Sequence, residues 1–401
     1  MDKKVYVTGL GIISAIGNNV AETLASFNGL KSGVNKLDHI ISRHQAETPV
    51  AEVKASNAEL TAMAGFTKEY KNTRTALLGV IAAKEAVKSA GITDIREFRT
   101  GLISATSVGG MGTTENLWMD YLNTEKQGDW LKYIESHECG DSTEAIADSI
   151  GVKDFLSTIS TACSSSANSI MLGARMIKQG LLDRVIVGGT DCLSKFTING
   201  FSTLMILDKE HCKPFDAQRK GLNLGEGAGF IVIESEAAAK GKEILAELSG
   251  YGNANDAYHQ TASSPDGAGA YLAMEKAFKL SGLKPSDISY INAHGTGTEI
   301  NDLSEGTALD RIFDRKVPMI SSTKAFTGHT LGACGGIEAI FSVLAIKHNM
   351  VYPSLNHKNP MPEVSFLPVT ELKKDQKIDH VLSNSFGFGG NTSALIFSRK
   401  N

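Results

Sequence analysis

The sequence predicts an α/β protein whose two halves share a related layout. Short buried strand patterns alternate with apolar helical patterns along the chain, an order typical of α/β sheets. A helix follows Cys163 in the first half, and a helix at 336–347 follows His329 in a similar way in the second. We therefore expect a division near residue 250, into an N-terminal half 1–250 and a C-terminal half 251–401.

The composition is that of an ordinary globular protein. The chain has 401 residues, of which 42% are hydrophobic and 21% charged, and its formal net charge is −4. This charge does not indicate nucleic-acid binding. The five cysteines are widely spaced and form no CxxC pair, so neither a disulfide framework nor a zinc site is indicated. We expect a reducing compartment, the cytoplasm.

The N-terminus superficially resembles a signal peptide, because Lys3 and Lys4 precede the rather apolar stretch 5–17. A threonine and two glycines interrupt that stretch, and no Ala-x-Ala cleavage site follows directly, so a first strand is the better interpretation. No apolar run is long enough to span a membrane, and we expect a soluble protein with no membrane partner.

The first half begins with a buried strand at 5–8. The glycines that follow are a weak echo of a dinucleotide-binding loop, but Ser14 replaces the third glycine, so 9–14 is interpreted as a structural turn. Two segments read as non-regular, 29–65 as irregular structure and 109–112 as a flexible loop. The remaining elements expected before Cys163 are helices at 20–28 and 73–90, a strand at 101–105, and a mainly helical polar segment at 113–150.

The chain after Cys163 continues the alternation. Strands are expected at 184–189, 229–233 and 247–251, with a short polar helix at 237–242. The second half then shows an amphipathic helix at 270–282, strands at 288–293 and 318–322, and the helix at 336–347.

Cys163 is the first candidate catalytic residue. It lies among small polar residues, and the apolar periodicity of a helix begins at Ala167 and ends at Gly180. Near the first turn of a helix, free backbone N–H groups and the helix dipole favour a thiolate, so we expect a lowered pKa and a nucleophile. A buried structural cysteine is the alternative.

Two histidines downstream favour the catalytic interpretation. His294 and His329 each follow a predicted strand and lie among glycines, where ligand sites of open α/β sheets collect. With Cys163 they form a plausible site of one nucleophile and two imidazoles. Lys324, taken alone, would be a surface lysine. The glycine-rich loop at 386–390 is either a tight turn or a loop whose N–H groups face an oxyanion.

Together these motifs resemble the elongating β-ketoacyl-acyl carrier protein synthases of the thiolase superfamily. The resemblance covers nearly the whole chain. It is carried by the following segments in order: Val7–Gly11, Thr161–Ser164, Pro214–Asp216 with Arg219 and Gly221, Gly225–Gly229, His294–Thr296, Lys324, Gly328–His329 and Phe386–Gly390. It implies a thiolase-like fold with layers in the order α-β-α-β-α, the cysteine in the first half and both histidines in the second.

The resemblance also implies the chemistry. Cys163 would take an acyl group from a carrier thioester, and His294 and His329 would bind the malonyl thioester carbonyl and favour loss of carbon dioxide. Lys324 would order the histidines. The backbone N–H groups of Cys163 and Phe388 would form an oxyanion hole. Further substrate-binding positions are Phe386, Thr296 and Thr298, and no cofactor or metal is required for this chemistry.

The triad of one cysteine and two histidines favours the elongating branch over the initiating one. Gly297 and Asn391 depart from the common family pattern, so the acyl chain and the pathway stay open, a specialised lipid or polyene included. Some relatives hold a structural monovalent cation. Four residues of this chain resemble the positions that hold it: Asn292, Glu338, Ser383 and Asn384.

Two other functions remain open. The chain could be a non-catalytic or heterodimer-dependent partner subunit of a synthase, although such subunits typically lack the cysteine. It could also be a thiolase-like enzyme acting on coenzyme A esters, but no cysteine follows Cys334. The resemblance implies a homodimer and an acidic acyl carrier protein as partner. The candidate carrier contacts are Lys68, Lys71, Arg74, Arg219 and Lys220.

Overall fold

The computed structural model of the chain describes residues 3–45, 47–66, 73–125 and 134–400. Its strands are β1 Tyr6–Ser14, β2 Thr100–Ala105, β3 Phe155–Ile159, β4 Arg184–Asp191, β5 Gly227–Glu234, β6 Ala246–Asn255, β7 Tyr290–Asn292, β8 Met319–Ser321, β9 His380–Gly387 and β10 Asn391–Ser398. Its helices are α1 Val20–Asn28, α2 Asn57–Met63, α3 Arg74–Ser89, α4 Met111–Leu122, α5 Cys139–Ile150, α6 Ser165–Gln179, α7 Lys195–Thr203, α8 Ala268–Ser281, α9 Glu299–Ile312, α10 Lys324–Thr327 and α11 Cys334–His348.

The strands form one sheet in which the same pairing pattern occurs twice. The order is β3-β2-β4-β5-β1-β6-β10-β9-β7-β8. In the first five strands β2 is parallel to β3 and β4, and β5 is antiparallel to β4 and β1. In the last five, β7 is parallel to β8 and β9, and β10 is antiparallel to β9 and β6. The two sets meet through two residue pairs between β1 and β6.

This duplicated topology agrees with the expectation of two related α/β halves. The division at residue 250 stays a prediction, and β6 runs across that position and pairs with β10 of the second set. The helices complete the layers. Helix α3 packs on β1, β4 and β5, α8 packs on β6 and β10, and α6 and α11 contact strands of both sets. The α-β-α-β-α arrangement expected from the family resemblance is therefore confirmed.

Helix α11 lies at the centre of the molecule. All its residues from Cys334 to Ile346 are buried, so its sequence is apolar on every side, as expected for a helix enclosed by protein. The stretch Leu331–His348 also meets the length and hydropathy of a membrane-crossing helix, contrary to the expectation that no apolar run would. It is 89% buried inside the protein, which is the pattern of a core helix.

The glycines at the start of the chain are part of a strand rather than a turn. Strand β1 continues through residues 9–14. A Cβ atom at Gly9 would lie 2.3 Å from the carbonyl oxygen of Ala86, and one at Gly11 would lie 2.0 Å from that of Ala82. These glycines are needed because α3 packs closely against the strand, so the interpretation of 9–14 as a turn was wrong.

Several other local expectations were wrong. Helix α2 lies in the segment expected to be irregular, and its start is stabilised by a capping box between Ser56 and Glu59. Helix α4 begins inside the expected loop 109–112. Residues 237–242 form hydrogen-bonded turns instead of a helix. Strand β3 and helices α7 and α9 were not anticipated.

Candidate active site

Cys163 lies in the turn between β3 and α6, directly before Ser164, the N-cap residue of α6. The small polar residues around it stabilise this turn. The hydroxyl of Ser164 donates to the carbonyl oxygen of Thr161 (2.8 Å), and the hydroxyl of Ser165 donates to that of Ala162 (2.5 Å). The expected position of Cys163 beside the start of a helix is therefore confirmed, and its side chain is 6% exposed.

The two histidines meet the cysteine across the sheet. His294 follows β7, and His329 follows α10. The Nε2 atom of His329 lies 3.0 Å from the Sγ atom of Cys163, and the ring centroids of the two histidines are 5.3 Å apart. The structure therefore brings together the three side chains that the sequence singled out.

The protonation state of Cys163 differs from the expectation. Burial raises the pKa of this thiol to about 11, although the Lys324 charge and the backbone N–H groups of Phe388 and of Cys163 itself favour the thiolate. The expectation of a lowered pKa was wrong, because removal of the sulfur from water outweighs these favourable contacts. At neutral pH Cys163 is therefore a thiol, and an attack by its sulfur would require transfer of the proton to a base.

His329 is placed to be that base. Burial lowers its pKa, and the Lys324 charge lowers it further, so its imidazole is neutral. Its backbone is held on both sides, because its N–H donates to the carbonyl oxygen of Asn223 (2.7 Å) and its carbonyl oxygen accepts from the N–H of Gly225 (2.9 Å). Segment 223–225 thus fixes the backbone of His329 beside Cys163.

His294 is held by a buried carboxylate and a buried ammonium. Its backbone N–H donates to Glu305 (2.9 Å), and Asn384 donates to the same carboxylate (3.1 Å). The Nζ atom of Lys324 lies 3.3 Å from the Nδ1 atom of His294 and 2.5 Å from Oε1 of Glu338. Burial and the charge of Lys324 lower the pKa of His294.

Lys324 is 1% exposed, so its appearance as a surface lysine from local sequence was misleading. Burial opposes its charged form, but the carboxylate of Glu338 outweighs burial and the pKa of Lys324 is raised. The ammonium therefore stays charged. Because it donates to Nδ1 of His294, the neutral imidazole carries its own proton on Nε2.

One pocket brings together most of the predicted site residues. It has a volume of about 330 Å³ and is lined by Cys163, both histidines, the predicted substrate-binding residues Phe386, Phe388, Thr296 and Thr298, and Lys220. The hydroxyls of Thr296 and Thr298 are 2.9 Å apart, and Thr298 is the N-cap residue of α9. The ring of Phe388 stacks on that of Phe201, with centroids 5.6 Å apart. All eight predicted site residues except Lys324 thus line the same cavity.

Three further residues were missed by the sequence analysis. Glu305 holds the backbone of His294, Phe201 packs on Phe388, and Cys334 donates its thiol hydrogen to the backbone carbonyl oxygen of Cys163 (3.0 Å). Glu305 had one usable signal, since a buried acidic residue in the helix after a glycine-rich loop is placed to accept backbone N–H groups. Cys334 and Phe201 had none, because their roles depend on partners more than 170 residues away.

The residues that resemble a monovalent cation site carry a matching structural feature. Among the described residues, both polar side-chain atoms of Asn292 lack a hydrogen-bond partner, as do Oε2 of Glu338 and Oδ1 of Asn384. Asn292 is the register partner of Ser383 in the β7–β9 pair. Buried oxygen donors of this kind suit a hard cation, so the residues present fit such an ion. His294, Cys334 and Glu338 also surround one small space, but the Lys324 ammonium contacts two of them.

Two of the candidate carrier-protein contacts are less exposed than expected. Lys68 and Lys71 lie outside the described residues. Arg74 forms a largely buried ion pair with Glu226 (2.6 Å). Arg219 is 8% exposed and donates to backbone carbonyl oxygens. Both arginines therefore stabilise the fold rather than present charge at a surface. Lys220 alone of the three described candidates is exposed at the pocket.

Comparison with known proteins gives a consistent result. The chain matches two family descriptions, "Beta-ketoacyl synthase, N-terminal domain" over residues 2–239 and "Beta-ketoacyl synthase, C-terminal domain" over residues 245–358. It is 36% identical over 412 residues to 3-oxoacyl-[acyl-carrier-protein] synthase 2 of Staphylococcus aureus (strain N315), covering 99% of both chains. It is 34% identical to the protein of the same name from Synechocystis sp., covering 99% of this chain and 98% of the relative.

Solved structures agree. The ishigamide ketosynthase/chain length factor superposes with a TM-score of 0.93 at 28% identity, covering 100% of both chains. A ketosynthase (ApeO) in complex with its chain length factor (ApeC) from Xenorhabdus doucetiae has a TM-score of 0.86 at 29% identity, covering 99% of this chain and 98% of that one.

Proposed function

The chain belongs to the β-ketoacyl synthase family, and from that premise we propose that it condenses an acyl thioester with malonyl-acyl carrier protein. The reaction is a decarboxylative Claisen condensation that yields a 3-oxoacyl-acyl carrier protein, in fatty acid or related lipid or polyene synthesis. One observation carries this proposal. The Nε2 atom of His329 lies 3.0 Å from the thiol of Cys163, and His294 lies beside it in one pocket.

In the first step the acyl group moves to the cysteine. The sulfur of Cys163 attacks the thioester carbonyl carbon as its proton passes to Nε2 of the neutral His329. The backbone N–H groups of Cys163 and Phe388, which favour the thiolate form of the sulfur, are the donors that would stabilise the developing oxyanion. Collapse of the tetrahedral intermediate releases the carrier thiol, which takes the proton from His329.

In the second step the malonyl group loses carbon dioxide. Nε2–H of His294 donates to the malonyl thioester oxygen, because Lys324 occupies the Nδ1 side of that ring. Breaking the bond between the malonyl carboxylate and C2 places the electron pair in an enolate, which this hydrogen bond stabilises. His329 is the second donor to the same oxygen in its other tautomer, with the proton on Nε2, because acylated Cys163 no longer has a proton for that nitrogen to accept.

In the third step the new carbon–carbon bond forms. C2 of the enolate attacks the acyl carbonyl carbon on Cys163, and the cysteine sulfur leaves as a thiolate that takes up one proton from water. The pKa of this buried thiol, about 11, favours its protonated state, so the enzyme returns to the form in which the cycle began. None of the three steps requires an oxidant or a reductant.

The pocket walls provide the binding groups. Thr296 and Thr298 offer two hydroxyls to the amide-bearing arm of the carrier, and Phe386 and Phe388 shield the reacting atoms from water. Lys220 is an exposed cation at this pocket and is the carrier contact that we favour over Arg74 and Arg219.

We further infer a homodimer. Helix α4 has no buried residue and exposes Trp118 (53%), Met119 (71%) and Leu122 (54%). Strand β3 forms one edge of the sheet and leaves Leu156 41% exposed. Exposed apolar groups of this extent favour association, and a cytoplasmic homodimer is the assembly that the family implies. Sedimentation analysis of the pure chain tests it, and a monomer at micromolar concentration would contradict it.

The function is tested by intact mass after the pure protein is mixed with a panel of acyl-carrier thioesters. We expect a single acyl adduct that is lost in Cys163→Ala, followed by a 3-oxoacyl product when malonyl carrier is added. Acyl transfer retained by Cys163→Ala would overturn the assignment of the nucleophile. The preferred acyl group would distinguish primary fatty acid synthesis from a specialised pathway.

A second candidate is a synthase subunit that works only with a partner chain. It is favoured by one observation, that two similar solved structures are named as ketosynthases with chain length factors. No adduct from any donor with the pure chain, and an adduct on Cys163 once a second synthase-like chain is added, would establish this alternative.

A further inference from the structure

The placement of Phe388 depends on helix α7. Phe388 lines the same pocket as Cys163, and its ring stacks on Phe201 of α7 with an interplanar angle of 21°. The backbone that follows is held at Gly389, whose N–H donates to the carbonyl oxygen of Gln260 (2.7 Å) and whose carbonyl oxygen accepts from Asn255 (2.7 Å). The position of the Phe388 ring within the pocket is therefore held by its aromatic contact with α7.

Helix α7 itself has few contacts with the protein core. It has nine residues, of which only Thr197 and Ile198 are buried. Helices of this length are marginal in water, so the contacts at its ends determine whether it keeps its position. Its wall of the pocket continues past its C-terminus to Met205, which is 87% exposed.

The start of α7 is held by a carboxylate from another helix. Oε1 and Oε2 of Glu115, on α4, accept the backbone N–H groups of Lys195 and Phe196, both at 2.9 Å. The hydroxyl of Ser194 accepts the N–H of Thr197 (3.1 Å). Three N–H groups that a helix leaves free at its start are thus satisfied, two of them by a charged group at the positive end of the helix dipole.

We propose that Glu115 is a positioning residue that holds α7, and through Phe201 holds Phe388 over Cys163. Its carboxylate connects the exposed helix α4 to the pocket wall, so a change at α4 reaches the pocket through the contact of Glu115 with α7 and the contact of Phe201 with Phe388. The consequence for acyl-chain entry rests on the proposed function, but the consequence for access to the thiol does not.

The test is the rate at which iodoacetamide alkylates Cys163, followed by intact mass and peptide mapping, with Cys163→Ala defining reaction at the other four cysteines. Glu115→Ala is expected to react about tenfold faster than wild type, since α7 is released and Phe388 moves aside. Phe201→Ala is expected to have a similar effect. The double variant should react no faster than the faster single variant, because both act on one contact.

Asn116→Ala is the matched control, since Asn116 lies next to Glu115 on α4 and its side chain donates to the carbonyl oxygen of Gly112, one turn earlier in the same helix (2.9 Å). It should react at the wild-type rate. Glu115→Gln keeps one acceptor oxygen and should lie between wild type and Glu115→Ala, which makes the test independent of whether the alanine variant folds. An unchanged rate in both Glu115 variants, with a faster rate in Phe201→Ala, would overturn the proposal.

Discussion

The two central helices each begin at the site with a cysteine, and only one of the two thiols is placed to react. Cys163 directly precedes the N-cap residue of α6, and Cys334 is the first residue of α11. The helices occupy equivalent places in the duplicated topology, since α6 leads from β3 to β4 and α11 leads from β8 to β9. His329 lies 3.0 Å from the sulfur of Cys163, whereas the sulfur of Cys334 donates to a backbone carbonyl oxygen.

This comparison shows that the start of a helix does not by itself make a nucleophile. Burial raises the pKa of both thiols, that of Cys163 to about 11 and that of Cys334 well above its ordinary value, where Glu338 raises it further. What distinguishes Cys163 is a neutral imidazole to take its proton and backbone N–H groups beside the sulfur. The chemistry therefore depends on partners from distant segments.

The difference between the two thiols is tested most directly by replacing each cysteine in turn. Cys163→Ala should abolish the acyl adduct, whereas Cys334→Ala should keep acyl transfer within about tenfold of wild type, because one lost hydrogen bond costs about 0.5–1.5 kcal/mol. Intact mass after incubation with acyl-carrier thioester measures both. An adduct found on Cys334 in the Cys163→Ala protein would show that the two thiols are interchangeable.

Replacing each of the two histidines should slow a different step of the reaction. Loss of the proton acceptor in His329→Ala should slow acylation of Cys163 by about 10²–10⁴-fold. His294→Ala should keep acylation but slow carbon dioxide release from malonyl carrier by a similar factor. Single-turnover acylation and carbon dioxide release, measured separately, distinguish the steps, and an equal loss of acylation in both variants would contradict the separation of roles.

Helix α11 carries a buried ion pair at the site, between Lys324 and Glu338. Lys324→Met should lower the free energy of unfolding by about 3–5 kcal/mol, because a buried carboxylate is left without its partner. The exposed pair Lys209–Glu47 provides the control, and Lys209→Met should change stability by less than about 0.5 kcal/mol. Denaturant unfolding measures both. If adding Glu338→Leu to Lys324→Met recovered no stability, the unpaired charge would not be the cause.

The pH dependence of Cys163 sharpens the comparison further. Below a pKa of about 11 the thiolate fraction rises about tenfold per pH unit, so alkylation by iodoacetamide should increase steadily from pH 7 to pH 10. The sign follows from burial, which favours the neutral thiol. A rate that is already level between pH 7 and pH 9 would instead indicate a thiolate paired with His329.

Local patterns predicted most of the helices that bury one face. The limits of α1 agree with the expected 20–28, and α3 and α6 lie within about two residues of the expected segments. Helix α9 was missed because it buries acidic residues, Asp302, Glu305 and Asp310, so no apolar stripe marks it. Strand β3 was missed because it is an edge strand with only partly buried residues.

The same contrast holds at the site. Cys163, His294 and His329 could be singled out from their glycine-rich and helix-start surroundings. The loop at 386–390 could be singled out from its glycines, and family resemblance added the role of Lys324. The burial of Arg74 and Arg219 could not be foreseen, because Arg74 pairs with Glu226, 152 residues away, and Arg219 donates to the carbonyl oxygen of Glu299, 80 residues away. The contact from Glu115 to α7 likewise joins segments about 80 residues apart.

The sequence by itself determined the α/β class, most of the helices and the candidates for the residues that carry the chemistry. These depend on side-chain periodicity and residue type, which act over a few neighbouring positions. The tertiary structure alone decided that His329 reaches Cys163, that the thiol is protonated at neutral pH, and that Lys324 is buried and charged. Distances and desolvation of this kind arise from packing between segments that are separated in sequence, by 166 residues for Cys163 and His329 and by 30 for His294 and Lys324, and local patterns do not encode this packing.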